Sequence, residues 1–467
     1  MALLKKLTLF TLPLLLSACG NDDLDSNEIG APDVYQFSSQ TDPAASSSVD
    51  YREAVTRIVL IKELQSLISS DFLQTIGVTQ GQAAVIATLN RVYSAGTQGI
   101  SSVNIYDDQS TPTPITGVTT TLDKLQTDFS SMENNVNLSD KMPGVFTDLI
   151  YRHDADINLG YFIGWQKAGI EDGDRIADIM IQHWFEKISL LAIDDNTENK
   201  TTISGINYQT LIGNFLNVAI PYYLTTHVLL NPSNGLTASN SSQSNYTQLQ
   251  HNWDLAYGYF GGKRHYKSIG KTINATQAEF DHNGDGNIDL FSEMNFGHAV
   301  DAAVIDERSP LSDTYFSEDI VQAFLNGRQL INNHINSGIA DNAEFSQALL
   351  HEANVITQNW DRLIAAKLIH HLNRTAASAP FYGQLALLDA IYANDWANVK
   401  SYALALQFNP NAIISKDELI ELHTEIGNSP VTNIDSHKLK TYANKLLIAR
   451  DKIANIYNFS EMNTLNW

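Results

Sequence analysis

The stretch NAEFSQALLHEANVITQNWDRLIAAKLIHHLN, from Asn342 to Asn373, decides the fold class. Leu349, Ala353, Ile356, Trp360 and Leu363 return every three or four residues, the interval at which side chains share one face of an α-helix. Neither glycine nor proline interrupts the run. The same spacing predicts helices over 51–68, where Asp50 is the expected N-cap, and over 81–95, 174–193, 207–230 with a kink at Pro221, and 247–260. Further helices are expected over 317–335, 384–395, 416–425 and 437–457. No βαβ alternation or strand-rich region competes with them, so the fold class is all-α. The expectation is one large multi-helix domain over 33–467, or two packed helical halves that meet at the Ser/Asn-rich loop from Gly235 to Tyr246. No repeat of fixed period is present, and 101–137, rich in Thr and Ser, reads as an irregular excursion with a short hairpin.

The first residues, MALLKKLTLFTLPLLLSACG, join a basic start at Lys5 and Lys6 to an apolar run and small residues before Cys19. That is the layout of a signal peptide over 1–18, and its apolar part is too short for a permanent membrane span. Leu-Ser-Ala-Cys-Gly resembles the bacterial lipobox, which implies lipidation of Cys19 and a membrane partner held through the lipid. An ordinary cleaved signal with an incidental cysteine is the plainer alternative. Gly20 and Asn21 after the cysteine point to the outer membrane, facing the periplasm or the surface. Residues 19–32, polar and acidic, read as a flexible tether. Cys19 is the only cysteine, so no intrachain disulfide can staple the fold.

With 29 basic and 52 acidic residues the chain carries a formal charge of −23. Such a surface repels phosphate backbones, which argues against a nucleic-acid partner. Length and a hydrophobic fraction of 43% allow a large buried core.

DHNGDGNIDLFSEMN, from Asp281 to Asn295, places oxygen-bearing side chains at loop positions one (Asp281), three (Asn283), five (Asp285) and nine (Asp289), with Gly286 at six. A calcium loop needs this spacing, because successive ligands must turn inward around a sharp bend. Asn287 would add its backbone carbonyl. Position twelve is Ser292, and the acid arrives one residue later as Glu293. The loop therefore reads as a calcium site with a structural role, against the plainer reading of Asn-Gly and Asp-Gly turns whose carboxylates point to water.

Outside that loop, four histidines precede an acid by three residues: His153 with Asp156, His183 with Glu186, His251 with Asp254, and His298 with Asp301. On a helix each pair shares a face and forms half of a transition-metal site, or else a buried imidazole with a local hydrogen bond. His251, Asp254, His298 and Asp301 are the candidates for a second divalent metal. His370 and His371 adjoin Leu368 and Leu372, so at least one of them should pack in the core. No HExxH helix, GxSxG elbow, P-loop or GxGxxG after a strand is present, which leaves standard hydrolase and nucleotide-enzyme classes unsupported. With the lone cysteine at the anchor, thiol catalysis and c-type haem attachment are excluded.

In HNWDLAYGYFGG, from His251 to Gly262, Trp253, Tyr257 and Phe260 fall at helical spacing before glycines that stop the helix. The run Trp253, Asp254, Ala256, Tyr257, Gly258, Tyr259, Phe260 and Gly261 resembles the signature of an uncharacterised family of bacterial lipoproteins, a domain of unknown function. YQFSS, VDYREAVTRIVLIKEL, FGHAVDAA, WDRLIAAKLIHHLN and FNPNAIISKDELIELHTEIGN extend the resemblance over most of the chain. Leu255 stands where an acid is expected and Asn252 where histidine is frequent. The family is distantly similar to imelysin-like helical lipoproteins, whose Gly-x-His-x-x-Glu motif is matched here only by Gly297-His298-x-x-Asp301. The resemblance implies an outer-membrane accessory or binding protein, with an unknown ligand or envelope protein as partner and iron acquisition as one setting. The alternatives are a metal-dependent enzyme built on the His/carboxylate pairs and a purely structural envelope protein.

Overall fold

The computed structural model describes residues 29–39, 42, 45, 47–101, 125–126, 132–143, 163–165, 176–194, 200–241, 245–310, 314–339 and 342–467. The signal peptide, Cys19 and most of the tether lie outside the described residues, as do His153, Asp156 and most of 101–137.

The long helix predicted from 342–373 is the spine of the molecule. It runs over Ala343–Ser378 (α12), 36 residues, or about 54 Å at the α-helical rise. Asn342 caps it by accepting the Phe345 N–H at 2.9 Å. Its N-terminal turns are buried on one stripe, whereas from Trp360 to Leu372 nearly every side chain is enclosed. A helix buried all round must have partners on all sides. They are α11 (Phe316–Ser337), α13 (Ala386–Ala405) and α15 (Ser436–Ile456), with α10 (Gly297–Arg308) crossing nearby.

A second group packs against α13 through α6 (Tyr208–Asn217), which in turn supports α1 (Arg52–Ile68). α7 (Gln248–Phe260) bridges α1 and α11. One contiguous hydrophobic cluster extends from Tyr35 to Trp467, on both sides of the 235–246 loop, so the two-halves option gives way to a single domain. Four tryptophans, Trp184, Trp253, Trp360 and Trp396, are fully buried in it. Among the described residues, the only strands are two-residue pairs, such as Leu125–Gln126 parallel to Asn287–Ile288. No described helix is long and apolar enough to cross a membrane.

Two local readings are corrected. The α1 cap position is Tyr51 and not Asp50, although an Asp50 oxygen still accepts the Arg52 N–H at 3.3 Å. At Pro221 the chain does not break sharply. It widens into π-helical turns at Val218–Tyr222 and Leu224–Leu229, which place the ring without the clash an ideal helix would impose.

Candidate ligand cavity and acidic loop

α7 ends as its sequence requires. Gly261 closes it in the left-handed region at φ +89, and its carbonyl accepts the Phe296 N–H at 2.8 Å. The backbones approach so closely there that a Cβ on Gly261 would meet the Phe296 oxygen at 2.5 Å. The signature helix therefore fixes where α10 begins. Asn295 adds a second tie by accepting the Lys263 N–H at 2.9 Å. Phe296 is the N-cap of α10, and no side chain caps its free N–H groups.

Above that first turn lies a cavity of about 420 Å³. α1 contributes Lys62, α6 Asn214 and Asn217, α10 His298 and Asp301, α12 Lys367 and His371, and α13 Asn398 and Tyr402. The i, i+4 pairs Lys367/His371 and Asn398/Tyr402 each share a helix face, which aims both members at the same space.

The charges are unequally satisfied. Asp301 receives Lys367 Nζ at 2.7 Å on Oδ1 and the Tyr402 hydroxyl at 3.1 Å on Oδ2. Burial would raise the Asp301 pKa, but the Lys367 ammonium holds it below the usual carboxylate value. Burial and the neighbouring Asp301 push the Tyr402 hydroxyl well up. His298 donates from Nε2 to the Asn217 carbonyl at 3.1 Å, so its other nitrogen carries a lone pair. That Nδ1 is buried, has no hydrogen bond with a described residue, and stands 4.0 Å from Asp301 Oδ2. Burial lowers the His298 pKa. His371 lies flat against Tyr402, with centroids 5.7 Å apart, and burial brings its pKa down to about 4. Lys62 makes no hydrogen bond or ion pair with any described residue, and burial lowers its pKa too, with Asp301 opposing.

The other proposed pair is elsewhere. His251 stacks on Tyr246 with centroids 4.7 Å apart. Asp254 is 0% exposed and engaged by Arg328, Tyr35 and the Asp50 N–H. Among the described residues, no three His, Cys, Asp or Glu side chains come together as a metal-holding group. His251 and Asp254 are thus not brought to His298 and Asp301. His183 contacts its Glu186 at 3.0 Å on a partly exposed face.

The acidic loop folds on its own side chains. Asp281 accepts the Gly284 and Gly286 N–H groups at 2.7 and 3.1 Å, Asn283 that of Asp285 at 2.9 Å, and Asp285 that of Asn287 at 2.7 Å. Gly284 and Gly286 have φ of +73 and +87, which is why glycine stands there. Ile288 is fully buried and plugs the loop into the core. Glu293, one position late in the spacing, does reach across the loop. Its carboxylate accepts the His282 and Asp289 N–H groups at 3.2 and 2.9 Å and lies 2.8 Å from His282 Nδ1. Asp289 accepts the Phe291 N–H and the Ser292 hydroxyl at 3.0 and 2.8 Å. The donor set of Asp281, Asn283, Asp285, Asp289 and Glu293 is all hard oxygen, which matches calcium in donor type, yet among the described residues no three of its carboxylates converge as a metal-holding group.

Residues 202–336 match a family model described as a domain of unknown function (DUF4856). The matched span includes α7, the acidic loop and the start of α10. No curated protein and no solved structure matches the chain.

Sequence reasoning missed Lys62, Lys367, Tyr402 and the three asparagines. The available signal was polar residues recurring at i, i+4 within otherwise apolar helices, as in Lys367 and His371.

Proposed function

We propose that this chain is an outer-membrane lipoprotein, anchored through Cys19, that binds a small polar ligand in the cavity above the first turn of α10 and holds calcium in the Asp281–Glu293 loop as a fold-stabilising ion. One observation carries the binding reading: polar and charged side chains from five helices converge on one space, and one of them, Lys62, has no partner among the described residues. Buried polar groups are normally paired within the protein, so half-buried Lys62 and the buried His298 Nδ1, both unpartnered among the described residues, are groups that a ligand in the cavity can complete.

The distant imelysin-like resemblance supports iron acquisition as a setting, either with an envelope protein partner or with an iron-carrying molecule as ligand. A bare cation fits the cavity poorly, because the Asp301 carboxylate on its wall is already paired with Lys367 and Lys62 adds a further ammonium. The same two lysines weigh against a second divalent metal at His298 and Asp301. For the loop, the support is the oxygen donor set and the reach of Glu293.

The test of the binding reading is ligand-observed NMR on the full-length chain in detergent, with a library of small polar molecules, against a variant that fills the cavity, Val218→Trp. Hits lost in that variant are expected. A library without such hits would count against the reading.

A further inference from the structure

The ligand's chemistry can be narrowed, on the premise that the cavity is a binding site. Asp301 and Lys367 neutralise each other at 2.7 Å. His298 donates from Nε2 to the Asn217 carbonyl, and burial lowers its pKa. What remains is the ammonium of Lys62, unpaired with any described residue, in the same cavity lining as Phe296 and Gly297, where the 12-residue α10 begins without a side-chain cap. Free N–H groups at a helix start and a nearby ammonium both favour negative charge. His298, 2% exposed and with its Nδ1 unpartnered among the described residues, is a second sign that this wall is incomplete; an Nδ1 lone pair there would accept from a ligand hydroxyl and not from a carboxylate.

The rest of the wall asks for hydroxyl groups. Asn214 donates to Asn398 Oδ1 at 2.5 Å, which leaves its own oxygen and a second N–H available. The Asn217 amide makes no hydrogen bond with a described residue, and its oxygen lies beside Gly297. Amides of this kind pair with groups that both donate and accept, as hydroxyls do. Val218, Met294 and Phe296 close the remaining side.

We infer that the cavity takes a small hydroxylated monocarboxylate, its carboxylate held by Lys62 and the first turn of α10 and its hydroxyls by Asn214 and Asn217. A single free ammonium matches a monoanion better than a phosphate dianion, which would bring a second charge without a partner.

Isothermal titration of the full-length chain in detergent with gluconate, glucose and inorganic phosphate tests this. Gluconate is expected to bind at least tenfold tighter than the other two, and Lys62→Met to abolish that preference while Lys62→Arg keeps most of it. Methionine has similar length and removes a buried unpaired charge, so the Lys62→Met variant should fold and melt no lower than the parent. Gluconate binding that is equal in Lys62→Met, or phosphate binding tighter than gluconate, overturns the inference. Glucose binding as tightly as gluconate, and lost in Val218→Trp, overturns the monocarboxylate alone and leaves the binding reading standing. The failure of all three probes together with an empty polar-molecule screen overturns both.

Discussion

Asp254 and Arg328 form an ion pair from which water is wholly excluded: Nε stands 2.8 Å from Oδ1, and both side chains are 0% exposed. The pair is held on every side. Tyr35 donates its hydroxyl to the same oxygen at 2.9 Å, Arg328 donates to Ser48 at 2.8 Å, and the guanidinium covers the Phe37 ring at 5.1 Å. Tyr35 in turn stacks on Tyr257 of α7, with ring centroids 3.7 Å apart. The segment YQFSS is thereby bound to α7 and α11, and the acid of the signature run is a structural anchor.

Removing one partner leaves a buried charge alone, which costs far more than the intact pair contributes. Arg328→Met or Asp254→Leu is expected to destabilise the fold by about 3–5 kcal/mol, and the double variant by less than either single one. Urea unfolding followed by circular dichroism measures this. Single variants within about 1 kcal/mol of the parent would show that the pair does not carry the anchor.

Calcium in the acidic loop would act through mass action, because an ion held only by the folded chain stabilises it. An ion at a hundredfold excess over its dissociation constant adds about 2.7 kcal/mol. A chelator is expected to lower the melting temperature and added calcium to restore it, while Asp285→Asn blunts the response. If the chelator leaves the melt unchanged, the loop stands on its own Asx turns and Glu293.

Acid should weaken the fold through α12. Burial brings His371 down to about 4 and His370 to about 3 from an ordinary 6.5. Between those values the unfolded chain takes up protons that the folded imidazoles do not, so the stabilisation is whole above pH 6.5 and is lost as pH falls toward 4. For His371 the effect is on the order of 3 kcal/mol, at about 1.4 kcal/mol per unit. His371→Gln should flatten the fall in melting temperature between pH 6.5 and 4. An identical slope in the variant would mean that other groups set the acid limit.

The helices were legible because their information is local. α14 (Lys416–Ile426) begins at Ser415 and Glu418, which form a reciprocal capping box, and α7 runs from the Thr247 cap to Gly261. α10 was not among the expected helices, since half of its buried positions are alanines, Ala299, Ala302 and Ala303, and its apolar stripe is faint. The cavity could not be read locally. Lys62, Asn217, Asp301, Lys367 and Tyr402 meet only through packing of five helices, and no sequence spacing encodes that. Glu293 lies between the two cases: the sequence places it one residue past position twelve, and in the fold its carboxylate accepts the His282 and Asp289 N–H groups.

Gly261 joins the legible part to the illegible one, and its contribution can be separated into backbone strain and contact. Gly261 and Gly338 both close helices in the left-handed region, at φ +89 and +66. A Cβ on Gly338 meets nothing within 4 Å, whereas one on Gly261 strikes the Phe296 carbonyl oxygen at 2.5 Å. Gly338→Ala should therefore cost only the conformational term, about 1 kcal/mol. Gly261→Ala carries that term and a backbone displacement as well, roughly 2 kcal/mol or more beyond it, on the scale of an overpacked core. Because the displaced atoms are those that start α10, Gly261→Ala should also weaken any cavity ligand, while Gly338→Ala should not. Equal losses of stability in the two variants would show that the tie between α7 and α10 is slack, and that the position of His298 is set by α12 instead.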